Sequence, residues 1–131
     1  MIIKVDKGDR IDNIEYLEID ETLLKDDLEL DYENNSIYIL HYPCGDEIKV
    51  SYGRGFIKNE KYDFENIHKC KTYPGSSGSP IFNLSTNKII GIHKAYEESV
   101  CDILGIFLKY PLLKVKELFQ KKDKKTKKSS E

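Results

Sequence analysis

Seven short runs rich in Ile, Val, Tyr and Phe recur between Glu15 and Leu108, each closed by turn residues, and no helical run separates them. They are Glu15–Asp20, Ile37–Tyr42, Ile48–Ile57, Phe64–Cys70, Pro80–Asn83, Lys88–Lys94 and Ile103–Leu108. β-branched and aromatic side chains suit a pleated, half-buried surface. Asn34-Asn35, Cys44-Gly45-Asp46 and Ser85-Thr86-Asn87 supply the turns between them. Without strand–helix alternation a parallel α/β sheet is disfavoured. The pattern changes once. Pro111 suits the first turn of a helix, and Leu112, Leu113, Val115, Leu118 and Phe119 follow at helical spacing. The expected fold is therefore all-β: a six-stranded antiparallel β-barrel, Ile37 to Leu108, with a C-terminal helix.

Three segments follow from this reading. Residues 1–33 are expected to be a linker with one strand and an acidic surface loop, Asp20–Glu33, holding one helical turn around Thr22–Leu28. Residues 34–120 carry the barrel and the helix. Residues 121–131 hold no apolar side chain, cannot offset their ordering entropy by burial, and are expected to be a disordered Lys-rich tail.

Charge narrows the partners. The chain of 131 residues has a net charge of −2, but residues 121–131 carry six lysines against Asp123 and Glu131, +4, which leaves −6 on the rest. An acidic body argues against nucleic acid. No apolar run reaches the ~18 residues of a membrane helix, and the first residues are too charged for a secretory signal. No membrane partner and a cytoplasmic location for the chain as given are the expectations. Cys44, Cys70 and Cys101 are odd in number and lack CxxC spacing, so free thiols are expected, with no metal and no cofactor.

Chemistry concentrates in Gly75-Ser76-Ser77-Gly78-Ser79-Pro80. A serine hydroxyl becomes a useful nucleophile only on a tight, exposed turn beside N–H groups that can hold an oxyanion. Glycines at 75 and 78 permit such a turn, and the N–H groups of Gly75 and Ser77, one residue apart, can serve one pocket. Taken alone, a Gly/Ser run is an ordinary turn. The G-x-S-x-G elbow of α/β-hydrolases does not fit, because Ser79 stands where its last glycine belongs.

Together with Lys88-Ile89-Ile90-Gly91-Ile92-His93, this loop resembles the nucleophile motif and next strand of trypsin-like (chymotrypsin-fold) serine peptidases, and is most similar to glutamyl endopeptidase-like members. Tyr38-Ile39-Leu40-His41-Tyr42-Pro43-Cys44-Gly45 resembles the opening of their second barrel. The resemblance covers about residues 34–120 and implies the C-terminal barrel half, with Ser77 as nucleophile and the amides of Gly75 and Ser77 as oxyanion hole. Ser76 stands where trypsin has an aspartate, so activation by that ion pair is not expected. Thr72 and His93 match positions that bind an acidic substrate side chain, and Lys94 adds charge nearby. The partner implied is a peptide or protein substrate.

The triad histidine and acid are not found. His41, His68 and His93 are each expected to be structural or substrate-contacting, and Asp102 does not match the triad acid. In the family both residues come from before the second barrel, and residues 1–19 resemble the linker after the acid. The expectation is a serine endopeptidase part that is inactive alone and needs a chain supplying the missing barrel. The alternative is a non-catalytic peptide-binding module on the same fold. Tyr52-Gly53-Arg54-Gly55-Phe56 faintly resembles the carboxylate loop of PDZ domains, a weak motif in a region expected to be a strand.

Overall fold

The computed structural model describes residues 15–24, 32 and 35–128, with 56–58, 119 and 121–128 as backbone alone. Seven strands run in the order β1 (Ser36–His41), β2 (Lys49–Arg54), β3 (Phe56–Lys58), β4 (Glu65–His68), β5 (Pro80–Asn83), β6 (Ile89–Glu97) and β7 (Asp102–Phe107), followed by helix α1 (Lys109–Lys128). All pair antiparallel, in the sheet order β2-β1-β5-β6-β7-β4-β3. The two outermost strands are neighbours in sequence. Gly55, at φ 81°, bends one run so that its first half pairs with β1 and its second with β4. The expected single strand Ile48–Ile57 is thus broken at Gly55. Counting it once gives the expected six-stranded barrel.

Alternation explains the wall. In β1, Ile37, Ile39 and His41 are buried while Ser36, Tyr38 and Leu40 are partly exposed, the period-two pattern of a strand with one inner face. Ile37, Ile39, Ile81, Ile90, Cys70 and Phe107 meet inside. Outside, Tyr38 stacks on Phe82 with ring centroids 4.8 Å apart.

The N-terminal segment departs from expectation in two ways. Glu15–Asp20 forms no strand; Ile19 makes a single parallel bridge to Ile89, flanked by Asp20 N–H to the Ile89 carbonyl (3.0 Å) and Ile89 N–H to that of Glu18 (2.8 Å). Nor is the acidic stretch wholly at the surface. A 3-10 turn, Glu21–Leu24, is capped by Asp20, whose carboxylate accepts from the Thr22 N–H (3.0 Å) and hydroxyl (2.7 Å). It drops Leu23 into the core beside Tyr32, and burial pushes the Tyr32 phenol up to about 12. Residues 25–31 and 33–34, including the rest of the expected Thr22–Leu28 turn, lie outside the described residues.

Helix α1 begins as expected, with Pro111 in its first turn, and continues to Lys128. That overruns the boundary set at residue 120 for a disordered tail. Lys and Gln are good helix formers, and backbone i→i−4 bonds need no burial. No described helix is long and apolar enough to cross a membrane. Cys44 and Cys101 are exposed and Cys70 is buried, all as free thiols.

Candidate active site

Two consecutive turns build the loop before β5. Tyr73-Pro74-Gly75-Ser76 is closed by the Ser76 N–H to the Tyr73 carbonyl (3.0 Å), and Ser76-Ser77-Gly78-Ser79 by the Ser79 N–H to the Ser76 carbonyl (3.2 Å). Gly75 (φ 90°) and Gly78 (φ 86°) hold the third positions. Positive φ there is the signature of a type II turn, and Pro74 presets the second position of the first. Gly75 has a further constraint: a Cβ on it would lie 2.9 Å from the Tyr42 carbonyl oxygen.

The result separates two adjacent serines. Ser76 is fully buried and Ser77 is exposed. The Ser77 hydroxyl donates to the Lys94 carbonyl at 2.9 Å. The loop is clamped from both sides. Gly78 N–H donates to the His93 carbonyl and His93 N–H to that of Ser79, both at 2.8 Å, while Cys44 N–H donates to that of Pro74. The N–H groups of Gly75 and Ser77 have no acceptor among the described residues.

All three histidines of the chain are described, and all are buried. His41 Nδ1 lies 2.7 Å from Ser76 Oγ. His68 Nε2 lies 3.2 Å from His93 Nδ1, with the rings edge to face. Neither arrangement bonds a histidine to the Ser77 hydroxyl. Burial lowers the pKa of each, and takes His68 down to about 3. For His93 the Leu104 backbone pulls the other way, as a carbonyl acceptor that favours the charged ring.

Thr72 is half-buried, and no hydrogen bond joins it to His93 among the described residues. The Lys94 ammonium forms an ion pair with Glu65, whose other oxygen accepts from Asn59 Nδ2 at 3.1 Å. Asp102 sits opposite Glu97, at the far end of the β6–β7 pair from His93. Lys94 is the extra residue of a bulge between His93 and Ala95. β5 covers β6 only as far as Ile92, opposite Pro80, so residues 94–97 have no strand on that side among the described residues. Nor do the described residues contain a group of three His, Cys, Asp or Glu that could hold a metal ion.

The expected residues are thus brought round one loop but are not all joined. Two arrangements were not foreseen, the His41–Ser76 bond and the His68–His93 pair. Period-two alternation places His41 on the inner face of β1, the one sequence signal that could have pointed to it.

A family model described as a trypsin-like peptidase domain matches residues 2–92. The match begins well before the resemblance read from residue 34 onward and stops within β6. No curated protein matches the chain.

Proposed function

The chain belongs to the trypsin-like peptidase domain family, and from that premise we propose that it is the nucleophile-bearing, C-terminal barrel of a serine endopeptidase. Ser77 attacks the scissile carbonyl, and the amides of Gly75 and Ser77 receive the oxyanion. The observation that carries this is the loop itself. Paired turns bury Ser76, expose Ser77, and leave both amides without an acceptor among the described residues. An extended peptide pairing with the open side of β6 at residues 94–97 runs past Ser77.

The chain as given does not activate its serine. The Ser77 proton is held by a carbonyl, which is no base, and every histidine is engaged elsewhere. Loss of a triad member costs several orders of magnitude in rate. The partner that fits is therefore a chain or barrel delivering a histidine and its orienting acid. Fluorophosphonate labelling of the pure chain is expected to run no faster than with free serine. Labelling should rise by orders of magnitude when such a partner is supplied, and vanish in Ser77→Ala. Rapid Ser77-dependent labelling of the chain alone would sink the claim of inactivity.

The finer part of the reading is a preference for acidic residues at the cleaved bond, through Thr72 and His93. His93 brackets the loop by its backbone. Its depressed pKa leaves it neutral at pH 7, so it reaches a substrate carboxylate only by turning its one N–H away from the Leu104 carbonyl or the His68 ring, and Glu65 already neutralises Lys94. A bond from the neutral ring to a carboxylate is worth about 1.5–3 kcal/mol, and one to a neutral amide about 0.5–1.5 kcal/mol, a difference of ~1–1.5 kcal/mol. In the partnered enzyme His93→Ala should reduce discrimination for glutamate over glutamine by about tenfold or less. A preference for lysine, arginine or large apolar residues would refute the acidic reading.

A second reading, a non-catalytic peptide-binding module, is favoured by the Ser77–Lys94 bond, which occupies the nucleophile. It predicts peptide affinity unchanged in Ser77→Ala and no labelling with any partner.

A further inference from the structure

The fully buried hydroxyl in the loop, that of Ser76, is tied to the one histidine on β1. Ser76 Oγ accepts the Tyr73 N–H at 3.2 Å, and its only other hydrogen-bond partner among the described residues is His41 Nδ1 at 2.7 Å. A hydroxyl has one proton to place. With no other acceptor in reach, that proton goes to Nδ1, so His41 is the neutral tautomer with its proton on Nε2. Ser76 is also the hinge of both turns, as donor to the Tyr73 carbonyl and acceptor from Ser79. Fixing its side chain fixes the residue on which the two turns meet.

We infer that His41 is the positioning residue of the nucleophile loop. By accepting the Ser76 hydroxyl proton inside the barrel, it holds Ser76 inward, which turns Ser77 outward and keeps the Gly75 and Ser77 amides available. The name nucleophile rests on the function proposed above; the latch itself rests only on the bond.

The latch has a pH dependence built into it. Burial and then the Lys49 ammonium, its register partner on β2, hold His41 below its ordinary value. Around it also stand Asp46, Cys44, Lys71 and Tyr73, lining the same groove of about 380 Å³. His93 of β6 is near enough that its own protonation is disfavoured by the charge of His41. When Nδ1 gains a proton it becomes a donor facing a donor. Ser76 must rotate, its oxygen must accept twice, and its proton is left without an acceptor. The loop is latched above the His41 pKa and loosened below it.

The test is NMR on the whole ¹⁵N-labelled chain, following folded-state peaks only. On lowering pH from 7.5, the Ser76, Ser77 and Gly78 amides should shift with the midpoint of the His41 ring, below 6.5. His41→Ala and Ser76→Ala should each speed hydrogen exchange at the Ser76 and Ser79 amides about tenfold, the loss of one ordinary bond. Exchange at Leu104 should not change, and the double variant should add little. In His41→Asn the amide Oδ1 takes the place of Nδ1 and accepts without titrating. It should restore slow exchange and abolish the shared midpoint. Exchange rising equally at Leu104 would reduce His41 to an ordinary core residue. Loop amides that ignore the His41 midpoint would refute the latch. Labelling that never reaches Ser77, with the titration as described, would overturn the catalytic reading alone.

Discussion

Between pH 7 and pH 5 the fold is expected to lose about 2 kcal/mol through His68 alone. An unfolded histidine takes up a proton near 6.5, but His68 is fully buried and burial first, then the nearby His93, hold it down to about 3. Over that window the unfolded state binds more protons than the native one, so stability falls with pH, by about 1.4 kcal/mol per unit. Stability is full above 6.5 and declines toward 3. One and a half units of that window separate 6.5 from 5. His41 and His93 are shifted in the same direction and steepen the loss. Urea unfolding at the two pH values measures it, with His68→Gln as control. A stability that is flat from pH 7 to pH 5 would show that His68 protonates inside the fold.

Truncating Leu23 to alanine should cost about 2–5 kcal/mol, the usual range for a buried leucine. Leu23 is fully buried and belongs to the same cluster as Ile37, Ile81 and Phe107. It reaches that core from a single 3-10 turn, and α1 packs against this turn from the other end of the chain. If residues before β1 were only a linker, the same change would move stability by no more than about 0.5 kcal/mol. Denaturant midpoints decide between the two. Their slope should stay constant, because the surface exposed on unfolding changes little.

These two sites mark where reading the chain residue by residue stops. β5 was legible end to end, because Pro80 and Asn83 punctuate it, and β1 because Ile37 and Ile39 alternate. The loop around Ser77 was legible because glycines at positive φ leave a compositional trace. Leu23 left none. Its neighbours are acidic, and its burial depends on Asp20 capping a turn and on Ile19 bridging Ile89, contacts that span some seventy residues. The break at Gly55 was hidden for a similar reason, since one glycine in a strand-like run signals a bend only when both flanking halves have partners. His41 and Ser76 are 35 positions apart and meet only because β1 lies beside β5.

That adjacency of β1 and β5 also governs how the loop can come into being. β3–β4 and β6–β7 are joined by short connections and can close early. β1 must wait for β5, across the forty or so residues that hold β2, β3 and β4, and such long closures are slow. The Ser77 loop is stitched to β1 on one side and β6 on the other. It can therefore take its final shape only in the last stage of folding, after the barrel has closed. During refolding, intrinsic tyrosine fluorescence should report collapse well before the Ser76 and Ser79 amides become protected. Any chain that stalls short of closure is one whose Ser77 loop has not yet been assembled.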